Sequence, residues 1–67
     1  MTNEDVLLQL QHLIGTPYAP AVKAYITEVT GRPRVVGPRD VSTKEIDRNR
    51  INIAVDDAGL ITAFHFI

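Results

Sequence analysis

The length of one polar segment constrains the fold of this chain more than any other feature. Residues 37–49 separate two runs with β-strand character, Arg34–Val36 and Ile51–Val55. The second run alternates isoleucine and valine with smaller side chains, which predicts a strand with one buried face. A hairpin needs only about two to five connecting residues, whereas two parallel strands need a crossover of about a dozen or more. The thirteen residues of this connection therefore favour a parallel pair, with the segment arching outside the sheet.

An N-terminal helix is predicted over residues 1–14. Asn3 is a good N-terminal cap, and the two acidic residues that follow it suit the first turn of a helix. Gly15 is placed to end this helix as a C-terminal cap. Its apolar stripe recurs at helical spacing and consists of Val6, Leu7, Leu10, Leu13 and Ile14.

A second and main helix is predicted over residues 17–30. Proline is tolerated in the first turn of a helix, so the helix starts within Pro17–Pro20, while Gly31 and Pro33 mark its end. The side chains of its core face are Val22, Tyr25, Ile26 and Val29.

The last part of the chain predicts a hairpin. Asp56–Gly59 has the composition of a turn, and Leu60–Phe66 then forms a third strand beside the second. A bulge in this strand would place Ile61 and Phe64 on the same face. The fold class is therefore α+β, with one or two helices packed on a small mixed sheet and a long exposed loop between two parallel strands.

Size and composition exclude several classes of protein. With 67 residues and 45% apolar side chains, the chain is a single domain (1–67), near the lower limit for a core that folds unaided. The absence of cysteine excludes disulfides and thiolate metal sites, and too few acidic residues lie near Asp56 and Asp57 for a calcium site. We therefore expect no metal and no cofactor.

The same features bear on activity and location. Ser42 is the single serine and both histidines are distant from it in sequence, so no hydrolytic triad is indicated and we expect no enzyme activity. The formal charge of −1 suggests neither a nucleic-acid nor a membrane partner, and no apolar segment approaches membrane-spanning length. The N-terminus does not resemble a signal peptide, so we expect a protein that is cytoplasmic, or secreted after processing.

An exposed loop of this length is entropically costly to order, so the sequence should contain residues that support it. Pro38 fixes one backbone angle near its base. Arg50 opens the second strand, and its planar guanidinium can donate to Glu45, to the Thr43 hydroxyl or to loop carbonyls. Asn52 points to the same side of that strand. The predicted loop supports are Pro38, Arg48, Arg50 and Asn52. A loop held in this way is extended and rigid, which is the shape that a serine protease binds as substrate.

These residues carry a resemblance. The pattern Pro38-x-Asp40-x-x-Thr43-Lys44-Glu45-x-x-x-x-Arg50-Ile51-Asn52-Ile53-x-Val55-Asp56-x-x-Gly59-x-Ile61 resembles the potato inhibitor I family of serine protease inhibitors. It is most similar to the branch of small fungal and bacterial elastase inhibitors. Leu13-Ile14-Gly15 followed by a helix also matches, so the resemblance covers roughly residues 13–66.

The resemblance implies a serine protease inhibitor that acts by the substrate-like standard mechanism. Lys44–Glu45 would be the reactive bond, with Lys44 as the primary specificity residue where these inhibitors often have an apolar one. A lysine there implies trypsin-like or subtilisin-like targets. Arg50 and Asn52 take the two supporting positions. The other loop residues that would contact the protease are Asp40, Val41, Ser42, Thr43, Ile46 and Asp47.

Two alternatives remain open from the sequence. Six of the seven basic residues fall within 32–50, which would suit a small nucleic-acid or protein-binding module. Acidic residues interrupt that stretch, however, and no aromatic residue between positions 26 and 63 is available to stack on bases. The second alternative keeps the inhibitor fold but binds a partner that is not a protease, or forms a dimer through the apolar stripe of the first helix. The oligomeric state is not predicted.

Overall fold

The computed structural model describes residues 1–40 and 46–67. Its elements are α1 (Asn3–Leu10), a 3₁₀ turn (Gln11–Leu13), α2 (Ala21–Thr30), β1 (Val35–Val36), β2 (Ile51–Val55) and β3 (Ile61–Phe66). Two helices pack against a small mixed sheet, which confirms the predicted α+β class.

The sheet has the order β1-β2-β3. β1 and β2 are parallel, with Val35 opposite Ile51, so the prediction drawn from the length of the connection is confirmed. β2 and β3 are antiparallel, and their register shifts where Val55 pairs with Ile61 and Thr62 has no residue opposite it. This bulge lets both Ile61 and Phe64 face the core, as the sequence predicted.

The cap of α1 differs from the prediction, because Thr2 rather than Asn3 caps the helix. The Thr2 hydroxyl accepts a hydrogen bond from the Asp5 amide (3.1 Å), and the Asp5 carboxylate accepts one from the Thr2 amide (3.0 Å). This reciprocal capping box satisfies two amides at once. It also holds the pKa of Asp5 below its ordinary value, chiefly through the hydrogen bond from the Thr2 amide.

Both helices are shorter than predicted. α1 ends at Leu10 and tightens into the 3₁₀ turn before Gly15, whose φ of 88° lies in the left-handed region. α2 begins only at Ala21 because the residues before it follow the sheet. The amide of Tyr18 donates to the Gly59 carbonyl at 2.9 Å, and Pro17 forms a β-bridge with Leu60. Gly31 caps the end of α2 with φ 72°, as expected.

The core lies between the helices and one face of the sheet. Its buried side chains are Val6, Leu10, Ile26, Ile51, Ile53, Ile61 and Phe64. Three residues of the predicted helical stripes are substantially exposed instead: Leu7 (41%), Ile14 (48%) and Tyr25 (40%). The Tyr25 hydroxyl lies 2.7 Å from His12 Nε2, and the two rings meet edge to face. Thus Tyr25 pairs with a polar ring at the surface, where its hydroxyl is satisfied.

Candidate functional site

Two β-turns form the base of the loop, one at each end. The first spans 37–40 and closes with the Asp40 amide donating to the Gly37 carbonyl at 3.2 Å. Pro38 is its second residue, the position where its fixed φ suits a turn. The second spans 47–50 and closes with the Arg50 amide donating to the Asp47 carbonyl at 3.0 Å. We call these the entry turn and the exit turn.

The entry turn is fastened to α2 by an ion pair. Asp40 Oδ2 accepts from the Gly37 amide at 2.8 Å and from Lys23 Nζ at 2.6 Å. The Lys23 ammonium, and after it the Gly37 amide, holds the pKa of Asp40 below its ordinary value. The same contact raises the pKa of Lys23. Asp40, predicted from the resemblance as a protease-contacting residue, therefore has partners within the molecule.

Glycine is favoured at position 37, at the start of the entry turn, because of a close neighbour. A Cβ on this residue would lie 2.5 Å from the Tyr18 hydroxyl oxygen and 3.1 Å from Asp40 Oδ2. Both distances are shorter than ordinary carbon–oxygen contacts. The segment before α2 thus packs directly against the loop base.

The exit turn is fastened to the start of β1. Asp47 Oδ1 accepts from the Asn49 amide at 2.9 Å, and Oδ2 accepts from Arg34 Nη1 at 2.8 Å. The Arg34 carbonyl in turn accepts from the Ile51 amide at 3.0 Å. The Arg34 and Asp47 side chains are partly exposed, at 46% and 23%, so the free energy of the pair is small, about 0–1 kcal/mol. Its position matters more, because it links the two strands that flank the loop.

Arg50 and Asn52 point to one side of β2, and both reach the end of the chain beyond β3. Arg50 Nε donates to the main-chain oxygen of Ile67 at 2.6 Å, and the arginine is 4% exposed. Asn52 Nδ2 lies 3.3 Å from the same oxygen and 3.4 Å from the His65 carbonyl. The partners expected for Arg50 in the loop, Glu45 and Thr43, lie outside the described residues.

A second buried arginine ties the N-terminus to the exit turn. Arg32 is 9% exposed and donates to Asn3 Oδ1 (2.6 Å) and to the Met1 carbonyl (3.0 Å), with its guanidinium 5.6 Å from the centre of the Phe66 ring. Asn3 Nδ2 donates to the Arg48 carbonyl at 3.2 Å. Arg48, a predicted support, thus takes part through its backbone, while its side chain is exposed.

The remaining predicted site residues divide into two groups. Pro38 is half-buried and Ile46 is 79% exposed, an apolar side chain presented to solvent on the loop. The others lie outside the described residues: Val41, Ser42, Thr43, Lys44 and Glu45.

Sequence reasoning missed Lys23, Asn3 and Arg32 as parts of the loop base. The only signal for Lys23 is that it is the one basic residue outside 32–50. Its partner is 17 residues away and that of Arg32 is 29 residues away. No local pattern reports pairs at such separations.

Three of the six basic residues within 32–50 are engaged within the molecule. Arg32 and Arg50 are buried, and Arg34 is paired with Asp47. These three side chains therefore do not form an open cationic patch of the kind that tracks a nucleic-acid backbone. Among residues 1–40 and 46–67, no three His, Asp or Glu side chains are grouped to hold a metal ion, and no helix is long and apolar enough to cross a membrane.

Comparisons with known proteins identify a family and a similar fold. A family model described as "Peptidase inhibitor I78 family" matches residues 7–65. A solved structure titled "Structure of elastase inhibitor AFUEI (crystal form II)" superimposes with a TM-score of 0.59 at 32% sequence identity, covering 96% of this chain and 91% of that one. Comparison with curated proteins gives no match. The elastase-inhibitor resemblance is thereby confirmed, whereas the wider likeness to the potato inhibitor I family stays a prediction.

Proposed function

This chain belongs to the peptidase inhibitor I78 family, and from that premise we propose that it inhibits serine proteases by presenting its loop as a substrate. The proposed reactive bond is Lys44–Glu45, within a binding loop over 37–49. The proposed targets are trypsin-like or subtilisin-like enzymes. The mechanism is that of the potato inhibitor I family, which the loop sequence resembles.

One observation carries the proposal: both ends of the loop are fixed to the body of the protein. Lys23 holds the entry turn through Asp40, and Arg50 extends from the exit turn to the Ile67 oxygen, each by a contact of 2.6 Å. A loop fixed at both ends loses little conformational entropy when a protease binds it. The exposed Ile46 provides apolar surface on the outgoing side of the proposed bond.

The chemistry follows from this geometry and from the residue types. Lys44 would enter the primary pocket of the protease, where a carboxylate at the base of the pocket would pair with its ammonium. Val41, three residues upstream, would supply an apolar contact. If the bond is cleaved, the new ends stay near each other because the entry and exit turns are anchored. Re-formation is then effectively intramolecular, for which effective molarities reach about 10⁵ M or more in favourable cases.

The test is an inhibition panel with trypsin, chymotrypsin, elastase and subtilisin. We expect the parent to inhibit trypsin or subtilisin, and the slowly formed cleaved species to be cut after Lys44, as measured by mass spectrometry. Lys44→Met and Lys44→Ala should abolish trypsin inhibition and leave the fold intact. Lack of inhibition of all four enzymes at micromolar concentration would refute the proposal.

A matched control is available within the loop. Arg39 is an exposed basic residue that trypsin could also recognise. Arg39→Met should leave inhibition and the cleavage position unchanged. If instead this variant loses inhibition while Lys44→Met retains it, the reactive bond has been assigned to the wrong residue.

A further inference from the structure

One carboxylate oxygen of Asp40 connects the loop to the main helix. Its Oδ2 joins the Gly37 amide, within the loop, to the Lys23 ammonium, on α2. We propose that Asp40 is a positioning residue which, through Lys23, holds the incoming limb of the loop so that a cleaved reactive bond can re-form. This inference rests on the proposed function, because it concerns the fate of the same bond.

The backbone of α2 is a firm anchor for this contact, although the two paired side chains are 36% and 40% exposed. Lys23 lies one turn before Ile26, which is fully buried in the core, so α2 cannot shift without disturbing the packing. The hydrogen bond that closes the entry turn is long, at 3.2 Å, while the contact from Lys23 to Asp40 is 2.6 Å. The Gly37 amide also donates to Asp40 Oδ2 at 2.8 Å. Both of these closing contacts lie within the turn, so the ion pair adds the restraint that ties the turn to α2.

Chain length shows why this restraint matters. Asp40 precedes Lys44 by four residues, so after cleavage the new carboxyl end can move at most about 14 Å from the anchored residue. Without the ion pair, the entry turn is held by the contacts between Gly37 and Asp40 alone, and the nearest residue fixed by the sheet is Val36 in β1, eight residues before Lys44. Doubling a flexible tether lowers effective concentration by about threefold. We therefore expect re-formation of the bond to slow by about that factor.

The charges around Asp40 define its dependence on pH. A groove of about 440 Å³ adjoins the entry turn, and its titratable or charged side chains are Tyr18, Lys23, Arg39, Asp40, Asp56 and Asp57. The Asp56 carboxylate accepts hydrogen bonds from the amides of Ala58 and Leu60 within its own turn. Of the side chains in the groove, Lys23 is the cation that is hydrogen-bonded to Asp40. Because the pKa of Asp40 is lowered from its ordinary 3.8, the pair is present at and above that pH. It is lost as the pH falls through the lowered value.

A measurement without protease tests the contact itself. In the parent, the NMR shift of the Gly37 amide should titrate with an inflection below pH 3.8, because that amide donates to the titrating carboxylate. Asp40→Asn should abolish the titration. Lys23→Met should move the inflection towards 3.8 and Lys23→Arg should restore it. Glu28→Gln, which removes an exposed charge elsewhere on α2, should change nothing.

Hydrolysis of the inhibitor by the protease it inhibits tests the positioning role. At neutral pH we expect Asp40→Asn and Lys23→Met each to raise net cleavage of the loop about threefold. The double variant should be cleaved no faster than either single variant, because the two substitutions remove the same contact. Lys23→Arg should return cleavage towards the parent value.

The outcomes separate the two claims. If the NMR shift of the Gly37 amide shows no titration that depends on Asp40, the contact is refuted, even in an active inhibitor. A normal Gly37 titration with unchanged hydrolysis in the variants would overturn the positioning role while the proposed function stands. If the parent inhibits no protease, the proposed function fails and the role of Asp40 in bond re-formation fails with it, although the Gly37 titration would still report the ion pair.

Discussion

Arg50 Nε donates to the main-chain oxygen of Ile67 at 2.6 Å, although the two residues are 17 positions apart. The guanidinium carries a positive charge and is nearly inaccessible to solvent. A buried cation is tolerated only where acceptors surround it. Because Arg50 directly follows the loop, this hydrogen bond joins the exit turn to the end of the sheet.

We expect Arg50→Ala to weaken inhibition and to turn the protein into a better substrate. The free energy of unfolding should fall by roughly 1.5–3 kcal/mol, the size of a hydrogen bond to a charged group, so the fold should largely survive. Arg50→Lys keeps the charge without the planar fork and should be intermediate. Inhibition constants, cleavage rates by mass spectrometry and urea unfolding measure these effects. Parent-like inhibition and cleavage in Arg50→Ala would remove this arginine from the mechanism.

Asn3 offers a way to test whether the N-terminus supports the loop. Asn3→Asp keeps an acceptor for Arg32 and loses the donor to the Arg48 carbonyl, whereas Asn3→Ala loses both contacts. We expect Asn3→Ala to lower the free energy of unfolding by about 1–3 kcal/mol, because the buried Arg32 loses an acceptor, and Asn3→Asp to be much milder. Both should increase hydrolysis of the loop. Equal stability of the two variants would contradict this division of roles.

Gly37 and Tyr18 provide a test of the packing beneath the entry turn. Gly37→Ala should destabilise the protein by about 1–3 kcal/mol, as expected for overpacking. Tyr18→Phe removes the hydroxyl that a new Cβ would approach to 2.5 Å, leaving Tyr18 Cζ at 3.2 Å. In that background Gly37→Ala should therefore be less harmful. A purely additive double variant, measured by urea unfolding, would show that the hydroxyl is not the obstacle.

The narrow core face of α1 can be checked with one substitution at two positions. Leu10 is fully buried, whereas Leu8 is 70% exposed. Leu10→Ala should cost about 2–5 kcal/mol, enough to unfold a domain of this size in part. Leu8→Ala should remain within about 0.5 kcal/mol of the parent. Comparable losses at both positions in thermal unfolding would mean that α1 buries a different face.

Much of the fold could be predicted from local patterns. The length of the 37–49 segment predicted parallel strands, and the placement of apolar residues in Leu60–Phe66 indicated that a bulge would put Ile61 and Phe64 on the same face. These features depend on strand geometry and chain length, which act over short ranges of sequence. The side of β2 shared by Arg50 and Asn52 follows from the same two-residue period.

The parts that escaped prediction depend on partners distant in sequence. Asn3 is a good cap in isolation, but Thr2 forms the capping box and frees Asn3 to bind Arg32. The pairing of Lys23 with Asp40 requires the entry turn to fold back over α2, which no local pattern shows. The start of α2 was misplaced because Tyr18 pairs with Gly59, an interaction across the fold that overrides the tolerance of a helix for early prolines.

The residues of the buried core come from two stretches of the chain, one before the loop and one after it. Val6, Leu10 and Ile26 precede it, and the other four core residues, from Ile51 to Phe64, follow it. Neither contribution is self-sufficient, since an isolated two-stranded hairpin is marginal in water and the helices would expose their apolar stripe. Separately synthesised peptides spanning 1–44 and 45–67 should therefore remain largely unfolded alone and assemble on mixing into a native-like heterodimer, a split protein whose fragments complement each other.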